Sequence, residues 1–136
     1  MGLFDLLTGR KQTEEWTRAL IGAYTFSRLK DEGQKQVIIV HICRMLSESG
    51  PFRPTFDEAQ REFNKSPAIV QAGFMVNAMI DLSIPCGVRG YQWDYIPNPF
   101  ALKYYSEKAR KSALVNIMRF GINPKECFGE SKEIYF

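Results

Sequence analysis

Residues 56–79 read "FDEAQREFNKSPAIVQAGFMVNAM", and this sequence predicts two helices joined by a tight turn. Thr55 and Glu58 have the spacing of a capping box, which predicts the start of a first short helix. The dipeptide Ser-Pro at 66–67 repeats the signal, with serine as the N-cap and proline in the first turn, where its missing N–H costs nothing. The second helix is expected to extend to about Leu82.

Residues 56–72 resemble the helix-turn-helix motif of DNA-binding proteins, through "EA", "RE" and "SP" at the characteristic places. The resemblance implies that the second helix reads bases. A recognition helix must present cationic or polar side chains to base edges and phosphates. Here the second helix offers only Gln71, Asn77 and Asp81 among apolar residues and carries no cation. We therefore expect it to be buried in the core.

Further helices are expected on both sides of this pair. Thr13 and the two glutamates after it predict a helix at 14–30, because a hydroxyl can cap it and acids suit its positive end. "KQVIIVHICRMLSE", residues 35–48, is apolar on nearly all sides, which is typical of a helix at the centre of a bundle. We expect 35–48 and 67–82 to form the central pair. A last long helix is predicted at 99–120.

One stretch has the period of a β-strand. Tyr91, Trp93 and Tyr95 alternate with other residues, and a two-residue period is typical of a strand. The Val-Arg dipeptide just upstream and "EIYF" at 133–136 are its possible strand partners. The sequence therefore predicts a small irregular or two-stranded β element near 88–96.

The bulk properties favour a single, mostly α-helical domain over residues 1–136. A chain of 136 residues can bury roughly two-thirds of its unfolded surface, which is enough for one core. We expect a compact bundle of about five helices. It should begin with a short amphipathic segment at 1–11, which docks on its own core or on a partner, and should end in an irregular tail at 122–136. A net charge of +3 is too small to imply a polyanionic partner.

The cysteines indicate a reducing compartment. Cys43, Cys86 and Cys127 are odd in number and widely spaced, which does not suit a disulfide framework, so a cytoplasmic location is expected. The longest apolar stretch, "VIIVHIC", is interrupted by His41 and is far shorter than the roughly 18 residues that span a bilayer. No membrane span is predicted.

Enzyme chemistry has little support in the sequence. One histidine and isolated cysteines do not supply the ligand spacing of a zinc site, and no phosphate-binding or dinucleotide-binding motif is present, so we expect no metal and no cofactor. The remaining candidates are Cys86, in a Pro-Cys-Gly loop near Arg89, as a nucleophile and His41 as its base. An unreactive loop thiol and a hydrogen-bonded surface histidine are the simpler interpretations.

The favoured hypothesis is a non-enzymatic protein–protein interaction or self-association module, because the helices carry more apolar surface than one small bundle readily hides. The alternative is a nucleic-acid-binding protein with a basic last helix beside aromatic stacking surfaces. A small enzyme with a cysteine nucleophile is the third. The predicted partner interface consists of Phe74, Met75, Leu82, Tyr91, Trp93 and Tyr95. The predicted nucleic-acid surface consists of Lys103, Lys108, Arg110, Lys111 and Arg119.

Overall fold

The computed structural model describes residues 3–48 and 54–128, with side chains from residue 9 onward, and these residues form a bundle of helices. The prediction of a mostly α-helical bundle is confirmed. Five α-helices have ten residues or more, and a 3₁₀ helix and a one-turn α-helix accompany them. In chain order, the elements are α1 Leu3–Ser27, α2 Glu32–Glu48, α3 Phe56–Lys65, α4 Ala68–Asp81, the 3₁₀ helix Pro99–Tyr104, α5 Glu107–Arg119 and α6 Lys125–Phe128.

Helix α1 lies at the centre of the bundle. It has 25 residues and is therefore about 38 Å long, which lets it pack against α4, α5 and α6 along its length. Trp16 and Leu20 are fully buried on its inner face. It approaches α4 closely at Gly22, where a Cβ would overlap with Cγ2 of Val76.

The prediction that 35–48 belongs to the central pair is wrong. Helix α2 packs mainly against α3 and α4 at the side of the bundle, and it buries only Ile38, Ile42 and Cys43. On its outer side, Val37 is 54% exposed. Apolar residues all round a helix predict burial only if enough neighbours exist to cover every side, and the chain places those neighbours around α1.

Helix α1 begins earlier than predicted. It runs without a break from Leu3, so residues 3–11 of the predicted segment 1–11 continue directly into the helix expected to begin at residue 14. Thr13 is not an N-cap, because its Oγ1 donates a hydrogen bond to the carbonyl oxygen of Gly9, 3.0 Å away, within the helix. Whether the apolar side chains at 3–7 dock on the core lies outside the described side chains.

The helix pair at 55–82 is confirmed, with one change at the turn. The backbone N–H of Glu58 donates to Oγ1 of Thr55 at 3.2 Å, and the N–H of Thr55 donates to Oε1 of Glu58, so the predicted capping box forms. Ser66 does not cap α4. Its Oγ donates instead to the carbonyl oxygen of Glu62 at 2.8 Å and stabilises the end of α3.

Helix α4 is a core helix, as predicted. Eight of its 14 residues are buried, and two of its polar side chains, those of Gln71 and Asn77, bond to the protein's own backbone. Nε2 of Gln71 donates to the carbonyl oxygen of Phe63 at 2.8 Å. The side chain of Asn77 pairs with both backbone groups of Ile96. These contacts leave α4 without the exposed polar face that a recognition helix requires.

The predicted β element near 88–96 is wrong, since the described residues contain no strand. Residues 83–98, here called the aromatic loop, cross the bundle without regular structure. The N–H of Ile96 donates to Oδ1 of Asn77 at 2.8 Å, and Nδ2 of Asn77 donates to the Ile96 carbonyl oxygen at 2.9 Å. One amide side chain thus takes the place of a strand partner. The candidate partner at 133–136 lies outside the described residues.

The helix predicted at 99–120 is divided in two. Oγ of Ser106 accepts a hydrogen bond from the N–H of Ala109 at 3.1 Å, which begins α5 after the 3₁₀ helix has ended. Nε1 of Trp16 donates to the carbonyl oxygen of Leu102 at 2.7 Å and fixes the 3₁₀ helix on α1. A serine cap therefore interrupts the apolar period that suggested one helix.

The predicted irregular tail at 122–136 contains regular structure in its described part. Helix α6 forms one turn, and Ile122 and Cys127 are buried there. Oγ of Ser27 donates to the carbonyl oxygen of Glu126 at 3.1 Å, so α6 is tied to the end of α1. A single turn is too short to give a periodic signal in the sequence.

Candidate functional site

Helix α5 buries one side against α1 and exposes the other. The exposed side, here called the α5 outer face, consists of Lys108, Lys111, Val115, Met118 and Arg119. Their spacings of three, four and seven residues align them on one side of an α-helix. Val115 is 46% exposed and Met118 is 52% exposed. The α5 outer face therefore combines three cations with two large apolar side chains.

The charge on this face is mostly unbalanced. Nζ of Lys111 lies 3.2 Å from Oε1 of Glu107, but both side chains are 72% exposed, and such surface pairs typically contribute at most about 1 kcal/mol. Among the described residues, Lys108 and Arg119 form no ion pair. The α5 outer face and Glu107 together carry two more cations than anions.

Two of the five basic residues predicted to act together lie elsewhere. Arg110 is half-buried, with its Cζ 5.9 Å from the centroid of the Trp16 ring, so it packs on the inner side of α5. Lys103 belongs to the 3₁₀ helix, and its Nζ lies 5.1 Å from the centroid of the Tyr104 ring. The other three predicted cations are those of the α5 outer face.

The aromatic loop contacts the C-terminal end of α5. The rings of Tyr91 and Phe120 meet edge to face, with their centroids 5.3 Å apart. Burial raises the pKa of Tyr91, although nearby Arg18 partly offsets the rise. Trp93 is half-buried and packs against the core. Two of the three predicted stacking residues thus close the bundle and present only part of each ring to solvent.

The third residue, Tyr95, joins a polar cluster that the sequence did not reveal. Its Oη donates to Oδ1 of Asp81 at 2.8 Å, and Nε2 of His41 lies 2.9 Å from Oδ2 of the same carboxyl. Nη1 of Arg18 donates to the Tyr95 carbonyl oxygen at 3.1 Å. The hydrogen bond from His41 is the main cause that lowers the pKa of Asp81, and the bond to Asp81 raises that of Tyr95. The cluster links α1, α2 and α4 to the aromatic loop.

The described contacts do not bring Cys86 and His41 together. Burial raises the pKa of the Cys86 thiol more than its hydrogen bonds to Val88 and Thr25 lower it, whereas a nucleophilic cysteine needs a lowered pKa. His41 bonds to Asp81, and no described contact joins it to Cys86. Cys86 lines an open cleft of about 350 Å³ beside the end of α1. In the described ranges, no group of three or more His, Cys, Asp or Glu side chains could hold a metal ion.

The apolar residues of the predicted partner interface are divided between the core and the surface. Phe74 is only 7% exposed, and its ring packs edge to face on Phe100 with a centroid distance of 5.0 Å. Leu82 is half-buried at the end of α4. Met75 is also half-buried and lines a second cleft, of about 320 Å³. Phe74 therefore stabilises the fold and leaves Met75 and Leu82 as the accessible part of this set.

Comparison of the chain with protein families, with curated proteins and with solved structures finds no match. None of the helices in residues 3–48 and 54–128 has the length and apolar character that crossing a bilayer requires.

Proposed function

We propose that this chain is a non-enzymatic, cytoplasmic interaction module whose α5 outer face docks an acidic, amphipathic segment of a partner protein. The observation that carries this proposal is the pairing of half-exposed Val115 and Met118 with three cations on one helix face. Apolar side chains supply burial on docking, and the cations favour a partner of opposite charge. The three free cysteines support a reducing compartment.

The dimensions of the face favour a short partner element. Helix α5 has 13 residues and is about 20 Å long, which matches an amphipathic helix of three to four turns. The α5 outer face has five side chains, whereas a stable interface engages roughly 20–30 residues on each side, so the proposed interaction is transient.

Charge favours a different protein over a second copy as the partner. In a symmetric dimer the same patch meets itself, so Lys108, Lys111 and Arg119 of one copy would approach the same cations of the other. Like charges placed together at an interface disfavour association. An acidic partner removes this repulsion.

The test uses a fluorescein-labelled helical peptide with leucines at helical spacing and glutamates on its flanks. We expect binding in the micromolar range that weakens at least tenfold in the variant Lys108→Glu, Lys111→Glu, Arg119→Glu. The matched control makes the same change of net charge at three exposed cations elsewhere, by Lys11→Glu, Arg61→Glu and Lys65→Glu. Equal loss of binding in both variants would show nonspecific attraction and would contradict the proposed site.

The peptide's position can be measured in the same protein with ¹³C-labelled methionine methyl groups. Met118 lies on the α5 outer face, whereas Met79 is fully buried and serves as an internal reference. We expect the peptide to shift the Met118 signal and leave Met79 in place. A bound peptide that leaves Met118 unshifted would place the interaction elsewhere.

Nucleic-acid binding is the second candidate, and the contact between Tyr91 and Phe120 favours it because it brings the aromatic loop to the end of the basic helix. Tyr95 and Phe120 are nearly half exposed and offer rings for base stacking. Three phosphate contacts predict a slope of about −2 for log affinity against log salt on single strands. Fluorescence anisotropy with random oligonucleotides, at low and moderate salt, tests this. No binding at low salt would remove the candidate.

A further inference from the structure

The second cleft has the size and lining of a small-ligand site. It has a volume of about 320 Å³ and lies where α1, α2, α4 and α6 meet. Phe26, Met75 and Phe128 form its larger apolar walls, and the small side chains of Ala23 and Ala68 leave the space between them open. Small-molecule sites are typically roughly 300–1,000 Å³, mostly apolar, with a few polar groups.

Most of the polar side chains around this cleft already form hydrogen bonds within the protein. Nε2 of Gln71 donates to the carbonyl oxygen of Phe63, and the single hydroxyl proton of Ser27 lies within reach of two backbone carbonyl oxygens. Burial raises the pKa of Cys127 to about 12, so its thiol is neutral at physiological pH and adds to the apolar lining. These groups offer no charge to a ligand.

Lys35 is the exception. Its side chain is only 21% exposed, and its Nζ lies 5.7 Å from the centroid of the Phe26 ring at the cleft. Nζ also lies 3.6 Å from Oε1 of Glu32, but the Glu32 side chain is 81% exposed, so this ion pair is weak. A ligand anion can therefore replace Glu32 as the partner of Lys35. An ammonium group with three donors therefore stands beside an apolar cavity.

We propose that this cleft binds an amphiphilic carboxylate with a single medium-length alkyl chain. The carboxylate pairs with Nζ of Lys35, and the alkyl chain lies against Phe26, Met75 and Phe128. The proposal does not depend on the α5 outer face. A neutral amphiphile lacks the charge that Lys35 complements, and an acidic peptide is bulkier than the cleft allows.

The experiment titrates the ¹³C-methionine-labelled full chain with hexanoate, octanoate, decanoate and decanol. We expect saturable shifts of the Met75 methyl signal, with Met118 unshifted as an internal control. Affinity should increase by up to about fourfold for each methylene that the cleft buries. Absence of a Met75 shift at millimolar decanoate would overturn the proposal.

Two variants test the position of the ligand. Ala68→Phe fills the cleft and should abolish the decanoate-induced shift, whereas Gln60→Phe, at an exposed site on α3, should preserve it. If Ala68→Phe does not fold, Ala68→Leu replaces it with a smaller obstruction and should weaken binding. Decanoate binding that is unaffected by a folded cleft-filling variant would overturn the proposal.

A third variant tests the head group. Lys35→Gln should weaken decanoate binding roughly threefold to fivefold and leave decanol binding unchanged, because the contribution of a partly exposed ion pair is lost for the anion alone. The control Lys108→Gln removes an exposed cation at the start of α5, outside the cleft lining, and should change neither. Equal effects of Lys35→Gln on both ligands would refute the assigned role of the ammonium group.

The same labelled protein separates this proposal from the proposed function. An acidic peptide should shift Met118, and decanoate should shift Met75. Failure of the peptide proposal leaves the amphiphile proposal intact, and the reverse also holds, because Met118 and Met75 lie on different surfaces. If the acidic peptide shifted Met75 and decanoate did not, the cleft would be a peptide site and the amphiphile proposal would be wrong.

Discussion

The substitution Gly22→Ala tests the packing of α1 against α4. A Cβ at this position would overlap with Cγ2 of Val76 and would lie 3.3 Å from the carbonyl oxygen of Ala72. Val76 cannot easily rotate away, because a β-branched side chain in a helix has one strongly preferred χ1 rotamer. The carbonyl belongs to the α4 backbone, so the two helices must separate to admit the methyl group.

The magnitude follows from two opposing effects. Overpacking of a core typically costs about 1–3 kcal/mol, and two obstructing groups, one of them backbone, place this site at the upper end. Replacement of glycine by alanine inside a helix contributes about 1 kcal/mol of stability. We expect a net loss of about 2 kcal/mol in the free energy of unfolding. For a chain of this length, that corresponds to a fall in Tm of roughly 5–10 °C.

The matched control is Gly9→Ala in the same helix. A Cβ at Gly9 would meet no atom within 4 Å, so only the gain in helix propensity remains and Tm should rise by a few degrees. Circular dichroism at 222 nm, followed during thermal and urea unfolding, measures both variants. If Gly22→Ala raised Tm as Gly9→Ala does, α1 and α4 would not cross closely at this point and the described core would be wrong.

Further predictions concern the anchors of the loop and the helix ends. Asn77→Ala should lower the free energy of unfolding by about 2–3 kcal/mol in urea titrations, because it leaves both backbone groups of buried Ile96 without partners. Asp81→Asn should remove a pH-dependent contribution to the free energy of unfolding. His41 lowers the pKa of Asp81 below its ordinary 3.8, so the ionised carboxyl stabilises the fold above that value and this contribution is lost as pH falls through the lower folded pKa. The difference in stability between wild type and variant should therefore be complete well above pH 3.8 and should shrink as the pH falls through and below that value. Thr55→Ala should cost about 1 kcal/mol in the same urea assay.

The helical class of this protein could be predicted because its signals are local. The capping box of Thr55 and Glu58 needs only four residues of sequence, and the apolar surface of α4 shows in its composition. Which helix lies at the centre could not be predicted in the same way. Apolar content ranked 35–48 above α1, but burial also depends on how many neighbours a helix acquires, and that is decided by contacts such as the one between Trp16 and Leu102, 86 residues apart.

The prediction of a β element near 88–96 was wrong for a related reason. Alternation of Tyr91, Trp93 and Tyr95 indicates which side chains face inward, but a strand also requires a partner for its backbone. The structure supplies that partner at Ile96 through the side chain of Asn77, 19 residues earlier. No short-range sequence pattern predicts that an amide side chain will form hydrogen bonds with both backbone groups of a distant residue. The cluster of His41, Asp81 and Tyr95 could not be predicted either, because its members lie far apart in the sequence.

The position of Arg110 on the inner side of α5 could have been predicted from the sequence. It precedes Ala113, Leu114 and Ile117 by three, four and seven residues, so helical geometry alone places it on their side of α5. Those three residues are buried, and Arg110 packs on Trp16. Grouping it with the exposed cations therefore mixed a packing residue with a surface charge. A charge reversal at Arg110 would place a carboxylate against the Trp16 ring and destabilise the fold, so loss of binding in such a variant would not identify a binding surface. The triple reversal at 108, 111 and 119 changes the surface charge and leaves the contact with Trp16 intact.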